Sequence, residues 1–464
     1  MTRHTGSWAL ALLFGMLVLH AGASFAAPSV YPTGTTIYDP DQTWNGYTVF
    51  VLPESGAVLV DMNGNEVRRW DQFAGVGGGP VRMLPGGHVV GAIGTLPPHQ
   101  ESVAVAQYDW ANELVRKFDR AEQVTTRAGE TIWAARQHHD WQRADFPAGY
   151  YSPAFTPGVV ADRMLILAHK NLANDAVSRH RLEDDWLYEV SADGAIVWQW
   201  HASDHVDELG FSAEARAVIH DNALFNEARG GSDWLHVNSA TWLGPNRWYD
   251  AGDARFHPDN VIISAREANI IAIVARDGAI VWRLGPDYRE TAATQALGQI
   301  VGQHHPHFIP QGLPGAGNLL VFDNGGTGGY GFANPIAPEG RGAVRRHFSR
   351  VLEIDPVTLE KVWEYALVGQ ESYRFFSHYV SAAQRLPNGN TLITEGADGR
   401  VFEVTADGKI VWEYVSPYFG DIATGTNRVY RAYRLPYEWV PQLARPVERA
   451  VVPPDVREFR IAPR

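Results

Sequence analysis

Histidine exchanges its proton near neutral pH. The histidines that cluster with other chemistry-bearing residues here are His138-His139, His236, His304-His305-His307 and His378. Imidazoles brought to one place could act as general acid, base or nucleophile, or could bind a metal. Metal is the weaker reading. No H-E-x-x-H and no helical H-x-x-x-H occurs, and Asp140, Asp204, Asp221 and Asp233 sit beside histidines rather than at ligand spacing. No metal and no cofactor are expected. On a strand, His138-His139-Asp140 would point alternate ways, so at most one histidine shares a side with the aspartate. The plain alternative for any one of these histidines is a hydrogen bond within a packed interior. No G-x-S-x-G elbow, P-loop or helix-opening G-x-G-x-x-G is present, and Gly325–Gly329 reads as a flexible loop.

These residues converge only if the chain repeats. Phe375–Tyr414 reads as four strands, Tyr379–Leu386, Thr391–Glu395, Val401–Thr405 and Ile410–Tyr414, separated by Asn-Gly and Asp-Gly turns that suit tight hairpins. The last strand carries a signature, D-G-x-I-V-W, repeated at Asp193–Trp198, Asp277–Trp282 and Asp407–Trp412. Looser copies end at Trp70, Phe118 and Trp363, making six ends. A first-strand mark, an apolar-Pro or Leu-Gly pair before Gly and Asn, recurs at 82–90, 241–246, 307–318 and 384–390. The first unit lacks this strand and starts directly at Gly46, whereas Val429–Pro436 resembles a first strand with no unit after it. An all-β fold is expected: a six-bladed β-propeller of four-stranded antiparallel blades over 46–440, its ring closed by the C-terminal strand. The first strand of each blade would line the channel, bringing together histidines that are distant in sequence. Insertions at Asp145–Val160, Ala202–Ser232 (with a short helix at Ala213–Ala223), Arg247–Asn260 and Gly325–Arg341 read as loops. Residues 27–45 read as a linker, and 441–464 as a tail wrapped on the surface.

The 464-residue chain has 52 acidic against 39 basic side chains and a net charge of −13, which argues against nucleic acid. Arg3, the apolar run Trp8–Leu19 and the small residues to Ala26 read as a secretory signal, 1–26, cut after Ala26. A periplasmic or secreted protein is expected, with no membrane span after cleavage. With no cysteine, its core must hold it together without disulfides.

Asp233–Ser239 (DWLHVNS), Gln303-His304 followed by Phe322–Gly325 (FDNG), Ser349–Asp355 (SRVLEID) and the VWEY and LPNGN repeats together resemble the bacterial arylsulfate sulfotransferases. The resemblance spans about Gly46 to Tyr437 and implies a short variant without the extra N-terminal domain of longer members. It implies transfer of a sulfuryl group from an aryl sulfate to a phenol through a sulfated histidine. It assigns His236 and His304 to the sulfate and places the nucleophile in the late blade, where this chain offers His378 on the first strand and carries Arg400 in the second-to-third-strand turn that matches the family histidine. Asn238, His305 and Arg400 are the expected substrate contacts. The family arginine after FDNG has no counterpart in Gly325–Gly331, and Arg341, Arg345, Arg346 and Arg350 are the nearest substitutes. The competing expectation is a non-catalytic propeller, a binding or assembly module. His378 divides the two: a ring facing the channel with His236 and His304 favours the enzyme. A homo-oligomer is compatible with either.

Overall fold

A computed structural model describes residues 32–453, apart from 53–55, 74–78, 98–99, 223, 228 and 421–424. The expected signal, 1–26, lies outside the described residues.

The fold is all-β and propeller-like. Its unit is seen in Ala382–Arg385, Thr391–Glu395, Arg400–Val404 and Ile410–Val415, each paired antiparallel with the next. The Asp-Gly signature works locally: Gly194, Gly278 and Gly408 have φ of 88°, 96° and 85°, the left-handed region that glycine enters without a Cβ clash. One residue bulges in each hairpin, at Glu189/Val190, Ile273/Val274 and Glu403/Val404. The looser copies bulge at Leu59/Val60, Gln107/Tyr108 and Glu353/Ile354. Such bulges sharpen the twist that successive sheets need.

The signature tryptophan joins neighbouring sheets. Its indole N–H donates to a main-chain carbonyl in the next unit: Trp198 to Arg276, Trp282 to Pro356, Trp363 to Ala406 and Trp412 to Met62, each at 2.8 Å. Among the described residues there are four separate sheets built on a four-stranded meander, and a ten-stranded sheet in which two meanders join through Gln137 and Ser102. Ala432–Leu435 pairs antiparallel with Tyr47–Val51, in register from Tyr47–Leu435 to Phe50–Ala432. The strands are apolar on both faces where sheets stack, as in Ile270–Val274, buried at every position.

Two readings need correction. The stretch taken as a linker holds a strand, Gly34–Tyr38, paired with Ile410–Val415 as a fifth member of that sheet, where it covers an otherwise bare edge. The glycine-rich stretch is not an irregular loop. Gly326–Tyr330 pairs with Arg341–Arg346 as a hairpin, because glycine lets the backbone pass close to Asn269 and His378. The expected insertion helix is present as Ala213–Asn222. The tail pairs Val451 with Tyr38 through two main-chain hydrogen bonds. Among the described residues no helix is long and apolar enough to cross a membrane.

Candidate active site

At the starts of four inner strands the backbone turns left-handed on residues other than glycine: His139 at φ 52°, His236 at 51°, His305 at 54° and Val380 at 52°. Each costs on the order of 1 kcal/mol or more. Register breaks accompany the first three, between Gln137 and Trp141, Val237 and Ser239, and His304 and His307. A bulge re-aims the side chains around it. His139, His236 and His304, beside these bulges, and His378, two residues before Val380, line one cavity of about 350 Å³. Arg266 and Arg428 bring positive charge to the same wall, and Tyr379 and Tyr430 bring aromatic surface.

Each imidazole is held differently. His236 Nδ1 lies 2.6 Å from Asp233 Oδ2, and Arg229 approaches the same oxygen at 3.6 Å. Burial disfavours the His236 cation, but the Asp233 carboxylate outweighs it and its pKa is raised. His304 Nδ1 is 2.7 Å from Asn324 Oδ1 and 3.1 Å from the Gly302 carbonyl. Asn324 donates its amide to the carbonyls of Ser377 (2.6 Å) and Val380 (2.9 Å), which leaves its oxygen facing His304. Two acceptors at Nδ1 place the His304 proton there and leave Nε2 with a lone pair. Burial, then the Arg266 charge, holds its pKa well below the ordinary value. His378 is the exposed member of the four and touches Tyr379, ring centroids 4.5 Å apart. Burial and then Arg266 lower its pKa as well. His139 meets the His236 ring edge to face at 4.7 Å, and its Nδ1 lies 2.8 Å from His138 Nδ1.

His236, His304 and His378 thus line one cavity. The expected substrate contacts do not. Arg400 is buried between Glu395 (3.0 Å) and Glu413 (2.6 Å), an ion pair inside its own sheet. Asn238 is buried with its amide donating to the Gln303 carbonyl at 2.8 Å. His305 packs beneath the cavity against His307, ring centroids 4.3 Å apart. Arg346 and Arg350 are committed to Asp323, at 2.5 and 2.7 Å, rather than to the cavity. The cationic wall comes instead from Arg266, in the turn after Val261–Ala265, and from Arg428; neither was singled out in the sequence. Arg266 occupies the turn between the second and third strands of its sheet.

His138, His169 and Asp185 have ligand-type atoms within 4.8 Å of one another. The two imidazoles, however, stack at 3.6 Å with 13° between planes. A ligated ion lies near the plane of each ring, and planes so nearly parallel do not meet at an ion.

A family model described as Arylsulfotransferase (ASST) matches residues 142–414, more than half of the chain. The chain belongs to the arylsulfotransferase (ASST) family. Membership supports aryl sulfotransferase activity in general, and with it small-molecule substrates. The matched span of this ASST chain contains His236, Arg266, His304 and His378, but not His139, Arg428 or Tyr430. A comparison with curated proteins finds no match. Among solved structures, a protein of unknown function from Bacteroides caccae is 10% identical, with TM-score 0.43, covering 84% of this chain and 98% of its own. The hydrazine synthase of Kuenenia stuttgartiensis is 10% identical, with TM-score 0.37, covering 81% and 80%. A virginiamycin B lyase from Staphylococcus aureus is 9% identical, with TM-score 0.32, covering 73% and 69%. None of the three bears on the chemistry.

Proposed function

We propose that this chain transfers a sulfuryl group from an aryl sulfate to a phenolic acceptor through a sulfated histidine. The observation that carries the reading is the convergence of His236, His304 and His378 with Arg266 in one cavity of an ASST-family chain. A neutral imidazole nitrogen with a free lone pair attacks sulfur as the S–O bond to the aryl oxide breaks. His304 and His378 are the imidazoles whose pKa is lowered by burial and Arg266, so both are neutral at pH 7. The fixed tautomer of His304 favours it as the carrier over the exposed His378. Arg266, Arg428 and His236, whose protonated form Asp233 favours, line the cavity where three sulfuryl oxygens would carry charge, the arrangement that lowers such a barrier. Tyr379 and Tyr430 provide flat surface for an aryl ring.

We further propose that six blades form a closed ring, a reading supported by the Ala432–Leu435 pairing and by the Trp412–Met62 hydrogen bond. Export and removal of residues 1–26 complete the reading, on the sequence alone.

The test is incubation of purified protein with p-nitrophenyl sulfate, with and without phenol. We expect phenol-dependent nitrophenolate release and, without phenol, a sulfated peptide containing His304. A sulfated His378 peptide would reassign the carrier. Absence of both transfer and a sulfated protein would overturn the reading in favour of a binding module.

A further inference from the structure

Two imidazoles of the cavity are backed by partners of different charge. His236 Nδ1 faces the Asp233 carboxylate at 2.6 Å, whereas His304 Nδ1 faces the amide oxygen of Asn324 at 2.7 Å. Asn324 follows the strand Leu319–Asp323 and is fully buried. Its amide nitrogen donates to the carbonyls of Ser377 at 2.6 Å and Val380 at 2.9 Å, on either side of His378. We propose that Asn324 is the positioning residue of the sulfuryl carrier: it keeps the Nδ1 proton on His304 in both the free and the sulfated state, so that the ring departs from sulfur as a neutral imidazole. This rests on the sulfuryl-transfer reading above, with His304 as the carrier.

The orientation of the amide carries the argument. Turned over, Asn324 would set its oxygen against two carbonyl oxygens, lone pairs against lone pairs. The segment bearing those carbonyls is fixed by bonds that the Asn324 side chain does not make. The Ser377 N–H donates to Ser349 Oγ at 2.9 Å, and Ser349 Oγ donates to the Asn324 main-chain carbonyl at 2.7 Å. Ser377 Oγ and Ser381 Oγ, 2.8 Å apart, receive the N–H groups of Ala397 and Gly396, each at 3.0 Å. Between them the chain bends left-handed at Val380, with φ 52°. The amide therefore has one orientation, its oxygen can only accept, and His304 Nδ1 must donate. The Gly302 carbonyl, the second neighbour of Nδ1 at 3.1 Å, can only accept as well. Neither oxygen is a base that could take the proton away. The charged and titratable groups that bear most on His304 are Arg266, Arg431 and His236, with no carboxylate among them.

The two half-reactions show why a neutral partner matters. In the first, the Nε2 lone pair forms the N–S bond, and the S–O bond breaks with its electrons on the aryl oxide. The ring gains no proton and loses none; it becomes an imidazolium that carries Nδ1–H and the sulfuryl group. That group withdraws electrons and acidifies Nδ1–H. A carboxylate in the place of Asn324 would draw the proton off, and an amide oxygen does not. In the second half-reaction the phenol oxygen bonds to sulfur, and the N–S electrons return to Nε2. With Nδ1 protonated the departing group is a neutral imidazole; without that proton it would be the strongly basic imidazolide anion, a poor leaving group. The aryl oxide takes its proton from His236, which lines the same cavity, and the phenol returns one to it, so none is gained or lost over the cycle.

Nitrogen NMR of the full protein with isotope-labelled histidines tests the held proton apart from turnover. The His304 signals, identified by their loss in His304→Gln, are expected to show Nδ1 protonated and Nε2 bare. An Nε2–H tautomer overturns the proposal even if sulfuryl transfer is real. Asn324→Asp, nearly isosteric, puts an acid–base group where the amide stood. Burst kinetics with p-nitrophenyl sulfate separate sulfation of the protein from its phenol-dependent desulfation. In the variant, desulfation is expected to slow by about a hundredfold, the low end of what a correctly held proton contributes, while sulfation changes far less. Equal loss in the two steps, the mark of a residue that only supports the fold, overturns the assignment, and so does desulfation at the wild-type rate. A sulfated His378 in place of His304 overturns it while sulfuryl transfer stands. If the wild-type protein transfers no sulfuryl group, the transfer reading falls, and the role assigned to Asn324 falls with it.

Discussion

His139 and Asp140 are neighbours on one strand, yet they belong to two regions built to opposite rules. Asp140 points below the cavity, where its oxygens meet Arg82 at 2.8 Å and Arg431 at 2.9 Å, with the main-chain N–H groups of Trp141 and Ala240 beside them. Arg431 goes on to the Asn238 carbonyl at 2.7 Å, and His307 is tied to the Tyr150 hydroxyl at 2.9 Å. There, buried charge meets buried charge. Above, Asp233 holds His236 and Glu267 pairs with Arg266, and both pairs border an open cavity that His139, His304, His378 and Arg428 also line. A stable protein leaves cations and neutral bases gathered around a cavity at a cost in folding energy, and an anion entering there offsets it. Sealed pairs make the floor; pairs that border open space make the site.

The largest effect expected from this contrast is on the floor. Asp140→Ala strands two buried arginines and should destabilise the protein by about 3–5 kcal/mol, read as a lower urea midpoint, with little change in transfer per folded molecule. A wild-type midpoint would mean the floor is not what holds the inner strands. On the other side, Arg266→Ala should lower kcat/KM by about 10²–10³-fold, as loss of one transition-state donor does, while the urea midpoint moves little. If stability falls and catalysis does not, Arg266 belongs with the floor. Trp412→Phe keeps the ring but deprives the Met62 carbonyl of its donor, and about 1–2 kcal/mol of stability should go with it; calorimetry measures this directly.

The smallest effect is in the pH profile. Attack requires neutral His304, whose pKa is depressed, so neutral base persists as pH falls through the usual histidine range near 6.5. The acid limb of kcat/KM should therefore lie below pH 6.5. In the Arg266 variant it should rise, by less than about one pH unit, since burial is the larger cause. His236 has the opposite sign: its pKa is raised, so its contribution to stability is full below the unfolded value and is lost as pH rises through the folded one. Asp233→Asn should flatten that part of the melting-temperature profile.

What was legible in the sequence follows the range of the interactions. Asp407-Gly408 acts within its own hairpin, so the meander could be read locally. The meeting of His236, His304 and His378 was also legible, because all three precede or open inner strands that share an axis. Arg400 misled for a reason also present in the sequence: Glu395 lies directly opposite it across the ladder, and Glu413 is within reach. Two acids near one arginine mark a structural pair. Asn238 misled because the bulge after Val237 turns it toward Gln303 rather than alternating it into the cavity. Arg266 and Arg428 carried no local mark, since arginine in a turn is common and only assembly of distant sheets aims these two at the same point. The strand Gly34–Tyr38 was missed because its partner lies at the opposite end of the chain.

Distance along the chain also sets a schedule. Thr48 and Arg434, joined at 2.8 Å, are 386 residues apart. A ribosome adding about 5–20 residues per second makes Tyr47–Val51 roughly 20–80 s before its inner neighbour, Ala432–Leu435, exists. During that interval one edge of the first sheet, with its row of unpaired N–H and C=O groups, is open to any passing strand. The first sheet is the earliest made and the last completed, and a chain stopped short of Ala432 never covers it.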